Sequence, residues 1–307
     1  MGAGLAVVPF LALAVAVLGA DYAFGQATLV LTYAIAGLGL VIIVGQAGQI
    51  TLGHGALFAL GAYVEALLAV RGVPPVLSIP AAVVVAALGG MLASLPARRL
   101  GGLYFGMSTL AFALIVEEGL VRWESLTRGG AGLAVPALAW GDFSARTPGA
   151  QLAVSAIALV LALLACRRWV SGRAGRAWRA VREDEVAAAE ACGIDPAAAK
   201  LSAFVIGGGL AGLAGALYAH WIGFISPDQF GLMFSFELLM LVFIGGARRL
   251  SGALWGALVI VSLPQVIALL RDALPGEWTR SAGVEAMLFG AVIVAVVLLR
   301  PQGLARR

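Results

Sequence analysis

Residues 38–70 read LGLVIIVGQAGQITLGHGALFALGAYVEALLAV. The middle of this stretch, residues 45–55, separates two apolar runs with four glycines and several polar side chains. Those polar side chains are Gln46, Gln49, Thr51 and His54. Glycine-broken backbone at membrane depth is tolerated only where protein buries it or where it lines a cavity. The pattern therefore predicts that residues 45–55, called the GQ segment below, lie inside a bundle of membrane-spanning helices.

The composition also indicates a membrane protein. Of the 307 residues, 62% are hydrophobic and only 12% are charged, whereas a soluble domain is about a quarter charged. A membrane crossing needs about 20 apolar residues. Ten such runs lie at 4–20, 27–44, 52–70, 76–96, 103–121, 150–166, 201–220, 233–246, 252–270 and 283–300. We therefore expect an all-α polytopic membrane protein with about ten transmembrane helices, some of them short or broken, in one domain over residues 1–307.

The placement of arginine predicts the orientation of these spans. Cytoplasmic connections carry an excess of Lys and Arg. The connection 167–182 holds six arginines, and the connection 221–232 holds no Lys or Arg. With the first placed inside, the arginine pairs at 98–99 and 248–249 also fall inside, and both termini are predicted to be cytoplasmic. Lipid headgroups and topology explain this charge better than nucleic acid does.

The stretch 171–200, called the polar hairpin below, reads SGRAGRAWRAVREDEVAAAEACGIDPAAAK. Its composition favours a helix from Arg173 to Cys192, and Gly193 is well placed just past the helix end. Asp195 and Pro196 are typical of the N-cap and first position of a following helix. The sequence therefore predicts a cytoplasmic helix-turn-helix before the seventh span. Three- and four-residue spacing gives it a small docking face. That face comprises Trp178, Val181, Glu185 and Ala189.

A basic amphipathic helix lying on anionic headgroups is the alternative interpretation of the polar hairpin. It predicts arginine throughout, whereas the second half of the hairpin is acidic. The acidic residues there are Glu183, Asp184, Glu185 and Glu190. A surface that docks another protein therefore fits the sequence better.

Several stretches together resemble the permease subunits of branched-chain amino-acid ABC importers, and more closely the LivM type. They are GQAGQITLGHGALFALGAY, LGGLYFGMSTLAFALIV, RAWRAVREDEVAAAEACGID, KLSAFVIGGGLAGLAGALYAH, ISPDQF and LLRPQGL, in order over about residues 45–303. The chain departs from the family pattern in TRGGAGL, where Arg128 is inserted. It also departs at 245–257, where Ser251 and Ala253 replace an aromatic residue and a proline.

The resemblance implies a multi-pass subunit of the bacterial inner membrane that is not an enzyme. Its implied partners are a homologous permease, two cytoplasmic ATPases and a periplasmic substrate-binding protein. ATP and Mg²⁺ would be bound by the ATPases, since the chain has no GxxxxGK[ST] motif. The alanine-and-glycine pattern at 187–193 occupies the place of the family's ATPase-docking loop. The candidate coupling residues are Trp178, Val181, Arg182, Glu185, Ala189, Glu190 and Gly193.

Two hypotheses remain for the GQ segment. Its polar side chains either border and gate the translocation path or only tie helices together through hydrogen bonds, worth about 1 kcal/mol each. Glu65 is a further pathway candidate, because a charge buried in lipid is costly and often functional. The candidate pathway residues are therefore Gln46, Gln49, Thr51, His54 and Glu65. A metal site is not expected at His54, since no cluster of metal-ligating residues accompanies it.

The substrate favoured by the resemblance is a branched-chain or related small amino acid. Relatives that carry urea, short amides or small organic acids are the alternative. A self-contained channel or secondary transporter is a second class, but it would need coupling-ion residues or an evident inverted repeat. An intramembrane enzyme is disfavoured because the chain lacks HExxH, GxSxG and paired aspartates.

Overall fold

The computed structural model describes residues 20–98, 100–140 and 143–273, together with positions 287, 290, 291, 294, 298 and 303–305. The described chain is mostly helical. The predicted spans 4–20 and 283–300 lie outside the described residues, apart from Ala20 and isolated positions. The predicted location of the two termini is therefore not addressed by the structure.

Long apolar helices fill the regions predicted to span the membrane. They are α1 (Ala20–Leu40), α2 (His54–Val70), α3 (Pro75–Ser94), α4 (Gly102–Arg122), α6 (Pro148–Ser171), α9 (Pro196–Ile222), α10 (Leu232–Gly245) and α11 (Leu250–Ala273). A π-helix, Val41–Gln46, continues α1, and 3-10 turns extend α3 through Leu95–Arg98 and precede α10 at Pro227–Phe230. In the described part of the chain, seven helices are long and apolar enough to cross a membrane, and α2 is a shorter apolar helix. The prediction of an all-α polytopic membrane protein is confirmed.

Helix α9 packs against α1, α2 and α3 at the centre of the bundle. Glycines allow this close packing, because a methyl group at Gly212 would overlap Ala86 and one at Gly215 would overlap the Phe58 carbonyl. Small residues bring helices together in lipid, where apolar surface alone gives no drive for association. The glycine-rich stretch 207–217 therefore specifies the central helix.

The connection between α4 and α6 is short and folded. It contains α5 (Glu124–Thr127), a 3-10 turn at Gly129–Ala131, and three two-residue strands, β1 (Leu133–Ala134), β2 (Ala139–Trp140) and β3 (Phe143–Ser144). Strand β1 pairs antiparallel with β4 (Phe224–Ile225), which follows α9, and β2 pairs with β3. This pairing fixes the connection over the end of α9.

The polar hairpin consists of two helices, α7 (Arg173–Glu183) and α8 (Glu185–Cys192). The prediction of one helix from Arg173 to Cys192 was wrong at Asp184. Asp184 has an extended backbone, and its Oδ1 accepts hydrogen bonds from the amides of Val186 and Ala187. A short acidic side chain that caps the next helix in this way competes with helix continuation.

The end of the hairpin agrees with the sequence prediction. Gly193 has a φ of +62°, a conformation that glycine adopts without strain. Asp195 Oδ1 accepts hydrogen bonds from the amides of Ala197 and Ala198, and Pro196 is the first residue of α9. The turn and the cap therefore set the direction in which α9 enters the bundle.

Candidate functional site

The GQ segment is a break between two helices that turns back into the bundle. The π-helix ends at Gln46, residues 47–53 are not helical, and α2 begins at His54. His54 Nε2 lies 3.0 Å from the carbonyl oxygen of Ala36. Ala36 precedes Gln46 by ten residues, or about 15 Å along the helix. The non-helical, protein-buried backbone predicted for this segment is therefore confirmed, although Gly48 and Ile50 are exposed.

Arginines of α7 hold the end of the π-helix. Arg182 Nη1 donates a hydrogen bond to the Gly45 carbonyl at 2.6 Å, and Arg179 Nη1 donates to Gln46 Oε1 at 3.2 Å. Gln46 Nε2 in turn donates to the Arg248 carbonyl at 3.0 Å, in the turn before α11. Hydrogen bonds from a charged donor are about twice as strong as neutral ones. The polar hairpin, the GQ segment and the α10–α11 turn therefore meet at one point, called the coupling node below.

Two glycines make the close contacts of the coupling node possible. Gly48 has a φ of +70°, and a methyl group there would overlap the Cγ of Arg182. A methyl group at Gly45 would overlap the carbonyl of Ala247. Glycine is required at both positions, because the side-chain stem of Arg182 and a neighbouring backbone occupy the space that a Cβ would need.

The rest of the GQ segment contacts the bundle through its backbone. The amide of Leu52 donates to Thr109 Oγ1 in α4 at 3.0 Å, and the amide of Gly55 donates to Ser235 Oγ in α10 at 3.0 Å. Gln49 Nε2 donates to the Ala47 carbonyl and Thr51 Oγ1 accepts from the Gly53 amide, both within the segment. The segment thus touches four spanning helices, counting α1 and α2 that it joins.

The structure corrects the predicted docking face of the hairpin. Trp178 is fully buried and Val181 is 2% exposed. Trp178 Nε1 donates to Ser202 Oγ in α9 at 2.9 Å. The apolar side of α7 therefore packs on the bundle of its own chain, because burial of the indole and valine side chains there is more favourable than their exposure to water. A docking surface must use other residues of the hairpin.

Of the remaining coupling candidates, Arg182 lies in the coupling node, whereas Glu185 and Gly193 are exposed on the hairpin. Glu185 is 46% exposed and pairs with Lys200 Nζ at 2.6 Å, whereas Lys200 is 3% exposed. Gly193 is exposed at the turn. Ala189 and Glu190 belong to α8, but their side chains lie outside the described part of the structure. Glu183, Asp184 and Val186 are exposed at the junction of α7 and α8.

Glu65 does not belong to the coupling node. It lies eleven residues beyond His54, or about 16 Å along α2, and it is fully buried. Its Oε1 accepts a hydrogen bond from Ser78 Oγ at 2.7 Å and lies 2.9 Å from His220 Nε2. His220 Nδ1 lies 2.9 Å from the carbonyl oxygen of Pro136. The predicted pathway residues therefore form two groups, at opposite ends of α2.

Sequence reasoning missed several residues of these two groups. Arg179 and His220 each supply a contact that joins distant parts of the chain, and Lys200 pairs with Glu185 inside the polar hairpin. Lys200 is the only lysine and His220 is one of two histidines in an apolar chain, which was an available signal. Thr109 and Ser235 carry no such signal, because single hydroxyls are common in spanning helices. Among the described residues, no cluster of His, Cys, Asp or Glu is arranged to hold a metal ion.

Comparison with known proteins assigns the family. The sequence pattern of the family described as "Branched-chain amino acid transport system / permease component" matches residues 22–297. The chain belongs to this permease family. The match includes the GQ segment, the polar hairpin and the Glu65 group, so all the contacts described above lie within the family's own domain.

Curated relatives agree with this assignment. The chain is 33% identical over 303 residues to the high-affinity branched-chain amino acid transport system permease protein LivM of Escherichia coli K12, covering 91% of this chain and 68% of the relative. It is 28% identical over 306 residues to LivH of the same strain, covering 92% and 94%. The autoinducer 2 import system permease protein LsrC of Klebsiella pneumoniae is 32% identical over 149 residues, covering 46% and 40%. No solved structure matches the chain significantly.

Proposed function

We propose that this permease is the membrane subunit of an ATP-driven importer for branched-chain or related small amino acids. The family and its relatives supply the transport class. The proposal adds the surrounding assembly, in which a periplasmic binding protein delivers the solute and a homologous permease completes the path in the bacterial inner membrane. Two ATPase subunits bind ATP and Mg²⁺ in the cytoplasm.

The coupling node is the observation that carries the mechanism. Arg179 and Arg182 stand on the hairpin proposed to contact an ATPase, and their hydrogen bonds end on Gln46 and Gly45. A displacement of α7 therefore acts directly on the end of the π-helix. Single-turn π segments are frequent at functional sites and are irregular enough to rearrange. The hairpin passes motion to the GQ segment, which gates the path.

The exposed part of the hairpin defines the surface for the ATPase. Glu183, Asp184 and Glu185 surround the break between α7 and α8 and are exposed. Arg179 and Arg182 donate hydrogen bonds into the chain's own bundle, and Arg182 Nη2 also pairs with Glu183 at 3.1 Å. The ATPase surface that receives the hairpin therefore carries basic side chains, because opposite charges steer and fix such contacts.

Reconstitution of the assembly tests the proposed function. The permease is purified with its homologous permease, the ATPases and the binding protein, and inserted into liposomes that contain ATP. We expect uptake of radiolabelled leucine that requires ATP and the binding protein. Uptake by the lone chain without ATP would refute the importer and favour a channel. Uptake of urea or short amides in place of leucine would keep the importer and replace the cargo.

A further inference from the structure

A cavity lies at the end of the bundle opposite the polar hairpin. It has a volume of about 320 Å³, which is within the range of small-ligand sites. Along α9, Lys200 at the end of the polar hairpin and His220 beside the cavity are about 30 Å apart. The walls are mostly apolar and include Ala69, Val73, Pro74 and Ala137. Glu65 and His220 supply the ionisable groups of the lining.

The contacts of His220 with Pro136 and Glu65 limit the positions that the protons of the pair can take. A carbonyl oxygen only accepts, so His220 Nδ1 donates to Pro136. Nε2 then either donates to an ionised Glu65 or accepts from a protonated one, and a single proton lies between Nε2 and Oε1 in both cases. The pair is electrically neutral in either arrangement. A neutral pair lowers the cost of placing these groups at membrane depth.

One oxygen of Glu65 is left without a donor. Oε1 takes both contacts, from Ser78 and His220, whereas the buried Oε2 has no hydrogen-bond partner among the described residues. A buried acceptor without a partner is unfavourable, because the hydrogen bonds it made to water are lost and not replaced. A solute that brings an N–H donor to this oxygen recovers that energy, and its aliphatic part is accommodated by the alanine, valine and proline walls.

We propose that this cavity is a binding site for small aliphatic solutes that carry an N–H donor, with Glu65 as the acceptor. Leucine supplies the donor as an ammonium group, and a short amide supplies it as an amide. The proposal rests on the proposed function for the identity of the solute and for the side of the membrane it comes from. The site is where the solute is held after delivery and before passage.

Protection of a cysteine in the cavity tests the site without measuring transport. Ala137 lines the cavity and is replaced by cysteine in a background with Cys166→Ala and Cys192→Ser, in the complex of permeases and ATPases in sealed right-side-out vesicles. Ala134→Cys lies on the same connection but does not line the cavity, so it is the matched control. The reaction rate with a membrane-impermeant maleimide is measured with leucine, 2-methylpropanamide or 4-methylpentanoate.

The expected result is that leucine slows labelling of Ala137→Cys about threefold at twice its dissociation constant, and leaves Ala134→Cys unchanged. The carboxylate 4-methylpentanoate, which lacks an N–H donor, gives no protection. Glu65→Gln removes the protection, whereas Glu237→Gln, a carboxylate change away from the cavity, retains it. Protection by the amide alone supports the site and assigns it to amides.

Two results overturn the inference. Equal protection by 4-methylpentanoate would show that the cavity selects only for apolar shape. Absence of protection by both leucine and 2-methylpropanamide would show that Glu65 Oε2 does not bind an N–H donor. Neither depends on the Glu65→Gln variant folding, since both are measured with the native carboxylate. ATP-driven uptake by the same vesicles after addition of the binding protein separates failure of this site from failure of the importer.

Discussion

At the scale of single residues, the coupling node depends on glycine more than on the polar side chains that first draw attention. Gln49 and Thr51 bond within their own segment, whereas Gly48 allows the stem of Arg182 to lie against the backbone. The four glycines of the GQ segment are evident from the sequence, but the residue that packs against each of them is not. That partner is 134 positions away from Gly48, and only the packed bundle identifies it.

Gly48→Ala should lower the melting temperature of the purified permease. The new methyl group overlaps Arg182 and also occupies a backbone conformation with positive φ, and together these cost about 2 kcal/mol. Gly72→Ala is the matched control, because Gly72 has a φ of +76° but no atom near its Cβ position. Thermal unfolding in detergent compares the two. An equal loss in both variants would show that Arg182 does not occupy this space.

Arg128→Gly should stabilise the protein. Arg128 is the one non-glycine residue in the described ranges with a positive φ, +62°, and it is the residue inserted in the TRGGAGL stretch. Glycine relieves the strain but raises the conformational entropy of the unfolded chain. The net gain in the free energy of unfolding is about 0.5–1 kcal/mol. The control Arg146→Gly has no such strain to relieve and should not raise the melting temperature. A lower melting temperature for Arg128→Gly would show that the backbone of Arg128 is not strained.

At the scale of elements, periodicity and length were enough to place the spanning helices between 27 and 270. Apolar runs must become helices in a membrane, since no other open structure satisfies the backbone there. The break at Asp184 was not predicted, because an aspartate in a helix-forming stretch can either continue the helix or cap the next one. The packing of α7 selects the cap. The predicted direction of the Trp178 side chain was wrong for a related reason. Spacing shows that residues share a face but not what covers it.

Asp184→Ala should unfold α8 locally. The change removes the acceptor for two amides at the start of an eight-residue helix, at a cost of about 1 kcal/mol. Hydrogen exchange of residues 185–192, followed by mass spectrometry, should become faster. Asp184→Asn keeps an acceptor oxygen and should retain the slow exchange. If both variants exchange alike, the cap does not hold α8.

Glu185→Gln should be more damaging than loss of the whole ion pair. Lys200 is 3% exposed, and removal of its partner leaves a buried ammonium group without a counter-charge, at a cost of about 2 kcal/mol. The double variant Glu185→Gln/Lys200→Met should recover most of the lost stability. Thermal unfolding of the single and double variants measures the difference. Additive losses would contradict the buried pair.

At the scale of the whole molecule, the structure divides the predicted pathway residues into two groups near opposite ends of the bundle. The sequence analysis predicted both Gln46 and Glu65 as pathway residues, the first from the glycine-broken GQ segment and the second from the cost of a carboxylate in lipid. Helix α2 separates them, and the contacts of each group come from residues far away in sequence, Arg179 and Arg182 for one and His220 for the other. Helix α9 is the central element that connects the hairpin end to the cavity end.

The proposed mechanism requires that motion of the polar hairpin reaches the GQ segment through Arg182. Its most direct test is the number of leucine molecules imported per ATP hydrolysed by the reconstituted assembly. Arg182→Gln removes a hydrogen bond from a charged donor, worth about 1.5–3 kcal/mol, and should lower this ratio about tenfold or more. Arg173→Gln, an exposed arginine of the same helix, should leave it unchanged. An unchanged ratio for Arg182→Gln, or an equal fall for both variants, would contradict the account.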